Sequence, residues 1–122
     1  MNLWLAIFFG GGLGSVARYG ITRWILAMDL RSAFPTATLI SNLLATAILA
    51  YLILKMQPQL EGRESLRAFL AVGFCGGFST FSTFSYENFL LIREGMHMYA
   101  LLNVIISIAA CSLVFFLFAR TS

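Results

Sequence analysis

Four stretches of this chain are each long and apolar enough to cross a lipid bilayer, and nothing else in the sequence limits the fold as much. A membrane-spanning helix takes about 20 mostly apolar residues. The stretches run from about Leu3 to Met28, Phe34 to Met56, Leu66 to Ile92 and Met98 to Ala119. The connectors are short and hold most of the charge. They are Asp29-Leu30-Arg31-Ser32, the segment from Gln57 to Arg67 with Pro58, Glu61, Gly62, Arg63 and Glu64, and Arg93-Glu94-Gly95. Pro35 suits the first turn of the second helix, where its missing N–H has no partner to lose. The expectation is an all-α membrane protein with four transmembrane helices in one domain, residues 1–122.

Composition agrees. Hydrophobic residues make up 60% of the 122 residues and charged ones 11%, against roughly 45–50% and about 25% in soluble domains. A soluble core this size would leave too much apolar area in water. The net charge of +3 comes from scattered basic residues with no basic run, which speaks against a nucleic-acid partner. Cys75 and Cys111 lie in separate apolar stretches, without a C-x-x-C pair or a nearby histidine, and read as small core residues. His97 sits in a connector with no nucleophile and carboxylate arranged around it, so no enzyme site is expected. The opening Met1-Asn2-Leu3-Trp4 lacks a basic n-region, and the glycines after it do not form a cleavage site, so the first span is expected to be retained.

Orientation in a membrane follows Lys and Arg in the loops. With the N-terminus inside, Lys55, Arg63, Arg67 and Arg120 fall on the inner side and Arg23, Arg31 and Arg93 on the outer side. So small a bias predicts insertion in both orientations, with opposite copies pairing as an antiparallel dimer. Gly10 and Gly14 form a G-x-x-x-G pair that lets helices approach closely, either within one chain or between two.

Polar residues inside the apolar stretches carry the functional information, because they are costly in lipid and face cavities or partners. The third stretch reads Gly73-Phe74-Cys75-Gly76-Gly77-Phe78-Ser79-Thr80-Phe81-Ser82-Thr83-Phe84-Ser85. Adjacent glycines disfavour helix by roughly 1 kcal/mol each, and a run of hydroxyls follows them. Two readings are open: a helix broken at Gly76-Gly77, with backbone carbonyls free to hold a cation, or a kinked but continuous helix. Phe81 and Phe84 lie about 60° apart on a helix. The electropositive edges of such rings can attract an anion, or the rings can simply pack. Thr38, Asn42 and Thr46 share one face of the second stretch, and Tyr99, Asn103 and Ser107 one face of the fourth. Neutral donors in stripes suit an ion that must shed its water; interhelical hydrogen bonding is the alternative. Arg18 can snorkel or set a positive potential at a pore mouth. Glu87 closely follows the Ser/Phe run and is a candidate to line a vestibule.

Together these segments resemble the Fluc family of fluoride channels, also called CrcB proteins. The resemblance rests on Gly10-Gly11-Gly12-Leu13-Gly14-Ser15-Val16-Ala17-Arg18-Tyr19, on Thr38-Leu39-Ile40-Ser41-Asn42-Leu43, on the third-stretch segment from Gly73 to Ser85, and on Tyr99-Ala100-Leu101-Leu102-Asn103. It implies a multi-pass protein of a prokaryotic inner (plasma) membrane, an antiparallel dual-topology homodimer embedded in membrane lipid. It implies passive export of fluoride down its electrochemical gradient. A structural Na+ ion at the dimer centre is implied on the backbone carbonyls of Gly76 and Ser79; the family usually has Thr at the second position. The implied fluoride pathway is Asn42, Phe81 and Phe84, the hydroxyls of Ser82, Thr83 and Thr38, the track Tyr99, Asn103 and Ser107, and the recurrent Arg18 and Glu87. The family often has Ser where Asn103 stands.

Two other classes compete. A small multidrug-type transporter needs a carboxylate in its first helix to couple protons, and the first stretch has no Asp or Glu. A structural subunit of a larger membrane complex would not purify as a discrete dimer.

Overall fold

The computed structural model describes residues 2–28 and 34–120. The connector expected at Asp29, Leu30, Arg31 and Ser32 lies outside the described residues. Every regular element among the described residues is helical.

Helix α1 (Leu3–Ala27) begins at Asn2, whose side-chain oxygen accepts the Trp4 N–H at 2.7 Å. Helix α2 (Thr36–Leu54) starts just after Pro35. The expected connector from Gln57 to Arg67 contains two helical turns, α3 (Gln57–Leu60) and α4 (Glu64–Arg67), separated by Gly62 at φ 79°. Without pause α4 widens into a π-helical segment (Ala68–Phe74), where the Cys75 N–H reaches back five residues to the Leu70 carbonyl. One α-helical turn, α5 (Cys75–Phe78), closes this stretch. Helix α6 (Phe81–Arg93) follows, then Gly95 at φ 80°, then α7 (His97–Arg120). The ends differ by one to two residues from the sequence expectation, the ordinary scatter of fraying termini.

Three helical stretches among the described residues, Thr36–Leu54, Glu64–Arg93 and His97–Arg120, are long and apolar enough to cross a membrane. At 25 residues α1 also has the length, about 37 Å at 1.5 Å per residue, and it carries Arg18 and Arg23 in its second half.

Helix α1 packs on the π-helical segment and α5, α2 packs on α7 and touches α5, and α6 lies beside α7. The α1 contact is made by glycine. A Cβ on Gly10 would overlap the Phe69 carbonyl, one on Gly14 the Phe74 carbonyl, and one on Gly77 the Gly11 carbonyl. The G-x-x-x-G pair is therefore used within the chain, which decides one alternative left open by the sequence. The interior mixes small and polar residues, Ala45, Ala50, Ala100, Ser41 and Asn103, with larger apolar ones such as Leu52, Leu60, Phe78 and Leu91. Large apolar side chains such as Trp4, Phe8, Ile105 and Phe116 point outward, as expected where the solvent is hydrocarbon.

Candidate functional site

Ser79 (φ −85°, ψ 157°) and Thr80 (φ −152°, ψ 122°) have extended backbone between α5 and α6. Gly76 and Gly77, where the sequence pointed to an interruption, are themselves within α5. The departure from helix falls two residues past Gly77, which is held against Gly11 of α1, whereas Ser79 and Thr80 find partners for extended backbone. The Ser79 hydroxyl donates to the Cys75 carbonyl at 2.9 Å. The Thr80 hydroxyl oxygen caps α6 by accepting the Thr83 N–H at 3.2 Å. Asn42 of α2 spans Thr80: its Oδ1 accepts the Thr80 N–H at 2.8 Å, and its Nδ2 donates to the Thr80 carbonyl at 3.4 Å.

These bonds redirect the backbone. In a continuous helix the Thr80 N–H would go to the Gly76 carbonyl and the Thr83 N–H to the Ser79 carbonyl. Here they go to Asn42 and to the Thr80 hydroxyl. The carbonyls of Gly76 and Ser79 thus lose their usual helical donors, and no side chain crowds Gly76, since a Cβ there would meet nothing within 4 Å. The adjacent Gly77 carbonyl accepts the Arg18 Nε–H at 3.2 Å. A cation beside the carbonyl end of a helical turn is electrostatically favourable. Arg18 accordingly points inward, onto this turn.

An open groove of about 370 Å³ runs past the extended residues, lined by Asn42, Thr46, Ser79, Thr80, Phe81, Phe84, Ser107, Ile108, Cys111 and Ser112. Three separate helices thus bring donors and rings to one place. The Phe81 and Phe84 rings lie 5.7 Å apart, tilted by 37°. Phe84 is half-buried while Phe81 is 78% exposed on the single chain. Ser82 and Thr83 both sit beside the Thr80 hydroxyl, at 3.3 and 3.2 Å. Thr46 gives its hydroxyl to the Asn42 carbonyl of its own helix at 2.7 Å.

The other expected residues stand apart. Thr38 donates to Glu87 Oε2 at 3.0 Å, and the second Glu87 oxygen is buried without a hydrogen-bond partner among the described residues. Glu87 lines a separate recess of about 280 Å³ with Phe34, Pro35, Leu90, Leu91, Glu94 and Met96. Tyr99 stacks edge-on against Phe34, centroids 6.5 Å apart, and does not line the groove. Asn103 donates to Asn88 Oδ1 at 2.8 Å and accepts from the Ser107 hydroxyl at 3.2 Å.

Sequence reasoning did not single out Thr80, Asn88 or Ser112. Thr80 was legible as the residue three before Thr83, the usual spacing of an N-cap. Asn88 carried a signal too, as an amide inside an apolar stretch. Ser112 falls off the four-residue stripe of α7 and gave none.

The chain matches the family model described as CrcB-like protein, Camphor Resistance (CrcB), over residues 5–119. It is 44% identical to the fluoride-specific ion channel FluC of Pyrococcus furiosus, over 91% of this chain and 88% of that protein. It is 41% identical to the fluoride-specific ion channel FluC of Coxiella burnetii, over 91% and 89%. To the protein of the same name from Salmonella arizonae it is 40% identical, over 100% and 98%.

Proposed function

We infer that this chain, which belongs to the CrcB family, is a fluoride-specific ion channel of a membrane and not an enzyme. The observation that carries the reading to particular residues is the groove beside Ser79 and Thr80, where uncharged donors and two phenylalanine rings converge. Fluoride binds water strongly, so a path for it must supply hydrogen bonds in place of hydration. Asn42, Thr83, Ser82 and Ser107 offer such donors, and the rims of Phe81 and Phe84 offer the positive edge of the ring quadrupole. Thr38, Glu87, Tyr99 and Asn103 extend the polar path toward the Phe34 end of the molecule, and Arg18 supports the carbonyl turn of α5.

In this reading four helices cross the membrane, α1 included, and the third crossing is interrupted at Ser79 and Thr80. Two copies insert in opposite senses and pair, which accounts for the near-equal Lys and Arg on the two sides and for the exposed Phe81 ring. The carbonyls of Gly76 and Ser79, lacking their helical donors, fit a Na+ ion. Carbonyl oxygens at a helix interruption are ligands Na+ takes in membranes, and two copies would supply four. Such an ion, if bound, would satisfy the lone pairs of these carbonyls in place of the lost N–H donors.

Transport is passive. The inside-negative potential of a prokaryotic inner membrane drives an anion outward at about 2.3 kcal/mol per charge per 100 mV. Hydrogen fluoride enters neutral from acidic surroundings and ionises inside, and the channel returns the anion. Purified protein in liposomes loaded with fluoride, read with a fluoride electrode after a potential is imposed, is expected to release fluoride and retain chloride. Liposomes that keep their fluoride would reject the reading. Proton-driven efflux of an organic cation would favour the transporter class.

A further inference from the structure

Ser107 is the groove end of a hydrogen-bond chain whose other end is Asn88. Asn103 lies between them and is 1% exposed. Its Nδ2 donates to Asn88 Oδ1 at 2.8 Å, and its Oδ1 accepts the Ser107 hydroxyl at 3.2 Å. Each of the three side chains is both donor and acceptor. Turning both amides by 180° exchanges oxygen for nitrogen and leaves the heavy-atom positions unchanged. The same distances then serve a chain running the opposite way, from Asn88 to Asn103 to Ser107. No proton is transferred, since every N–H and O–H keeps its hydrogen. Asn103 is too buried to exchange its partners for water, and a buried amide with one end unpaired is costly. The two fully paired states are therefore the two directions.

The directions differ at the groove. In one, the Ser107 hydrogen is committed to Asn103 and only oxygen lone pairs remain for the groove. In the other, Ser107 accepts from Asn103 and its own O–H is free to donate. We propose that Asn88 and Asn103 are positioning residues that set whether Ser107 presents a donor or an acceptor, and that an anion in the groove selects the donating direction. A ligand shifts a two-state equilibrium by its differential affinity for the two states, and an anion has that difference for a hydroxyl facing it by hydrogen or by oxygen. The identity of the anion rests on the fluoride-channel reading.

The test compares fluoride efflux from liposomes for the native chain, Asn88→Asp, Ser107→Ala and the double variant. An ionised carboxylate only accepts. Asn88→Asp therefore holds the Asn103 Nδ2 toward residue 88 and the Ser107 hydrogen on Asn103. Efflux is expected to fall by about tenfold or more, and Asn88→Asp added to Ser107→Ala is expected to change efflux by less than about twofold, since Asn88 acts through Ser107. Native-like efflux in Asn88→Asp, or an equal loss in both backgrounds, overturns the proposal; a native chain that carries no fluoride defeats the channel reading instead. A second measurement uses the native protein alone. The side-chain amide NMR resonances of Asn88 and Asn103 are expected to shift together on titration with fluoride and not with chloride, and a stationary Asn88 signal overturns the proposal.

Discussion

Asn42 holds Thr80 at both ends, taking its N–H at 2.8 Å and reaching its carbonyl at 3.4 Å. One carboxamide on α2 thus takes the N–H that a continuous helix would have sent to the Gly76 carbonyl, and adds a second bond to the Thr80 carbonyl. The Thr80 N–H is part-buried between α2 and α6, and an unpaired buried donor costs about 1–3 kcal/mol. Asn42→Leu is therefore expected to lower the stability of the folded subunit by that amount. Thr46→Val removes a hydroxyl bonded only to its own helix and is expected to stay within about 0.5 kcal/mol of native. Thermal unfolding in detergent, followed by circular dichroism, checks the contrast. Equal midpoints for the two variants would mean that Asn42 does not hold Thr80.

Thr80 also caps α6 through Thr83. Removing an N-cap oxygen costs about 0.5–2 kcal/mol. Thr80→Val keeps the β-branch and loses the oxygen, so its unfolding midpoint is expected to fall, while Thr80→Ser stays near native. Hydrogen exchange at the Thr83 amide is the local readout: faster in Thr80→Val, unchanged in Thr80→Ser.

The α1 contact makes a third expectation. A methyl group on Gly14 would strike the Phe74 carbonyl, which belongs to backbone and cannot rotate away. Overpacking typically costs about 1–3 kcal/mol, and Gly14→Ala is expected at or above the top of that range. On the same helix, a methyl group added to Gly20 would meet nothing within 4 Å. Alanine is the better helix former there by about 1 kcal/mol, so Gly20→Ala is expected to be neutral or stabilising. Yield of folded protein and unfolding midpoint check both; a Gly14→Ala protein as stable as native would show that α1 packs elsewhere.

How much of this could be read from the chain differs by kind of information. Lengths of apolar runs are local, so α2, the Glu64–Arg93 stretch and α7 were legible to within a few residues. The polar stripes were legible as stripes, because four-residue spacing fixes a common helix face. Their partners were not, since partners depend on how helices dock. Nothing local says that Asn42 meets Thr80, or that Asn103 meets Asn88 rather than the groove. Gly76 and Gly77 drew attention because glycine disfavours helix. The competing pressure was close packing on Gly11, which keeps Gly77 helical and passes the extended backbone on to Ser79 and Thr80. Arg18 kept two readings open from its depth alone, and only the α1–α5 contact directs its guanidinium to the Gly77 carbonyl.

Phe81 separates anion recognition from packing. Its ring is 78% exposed on the single chain, so the subunit loses little internal packing if the ring is replaced. Phe81→Ile keeps an apolar side chain of moderate bulk and removes the electropositive ring edge. If that edge attracts fluoride, efflux from liposomes should fall by about tenfold or more, equivalent to roughly 1.4 kcal/mol or more at the rate-limiting barrier. The unfolding midpoint and the elution volume in detergent should stay native. Phe81→Tyr retains a ring edge and should keep most of the flux. Phe84 is more enclosed, so Phe84→Ile is expected to lower flux and stability together. Full flux in Phe81→Ile would show that the ring is packing only, and would leave the donors of Asn42 and Ser107 as the whole of the recognition.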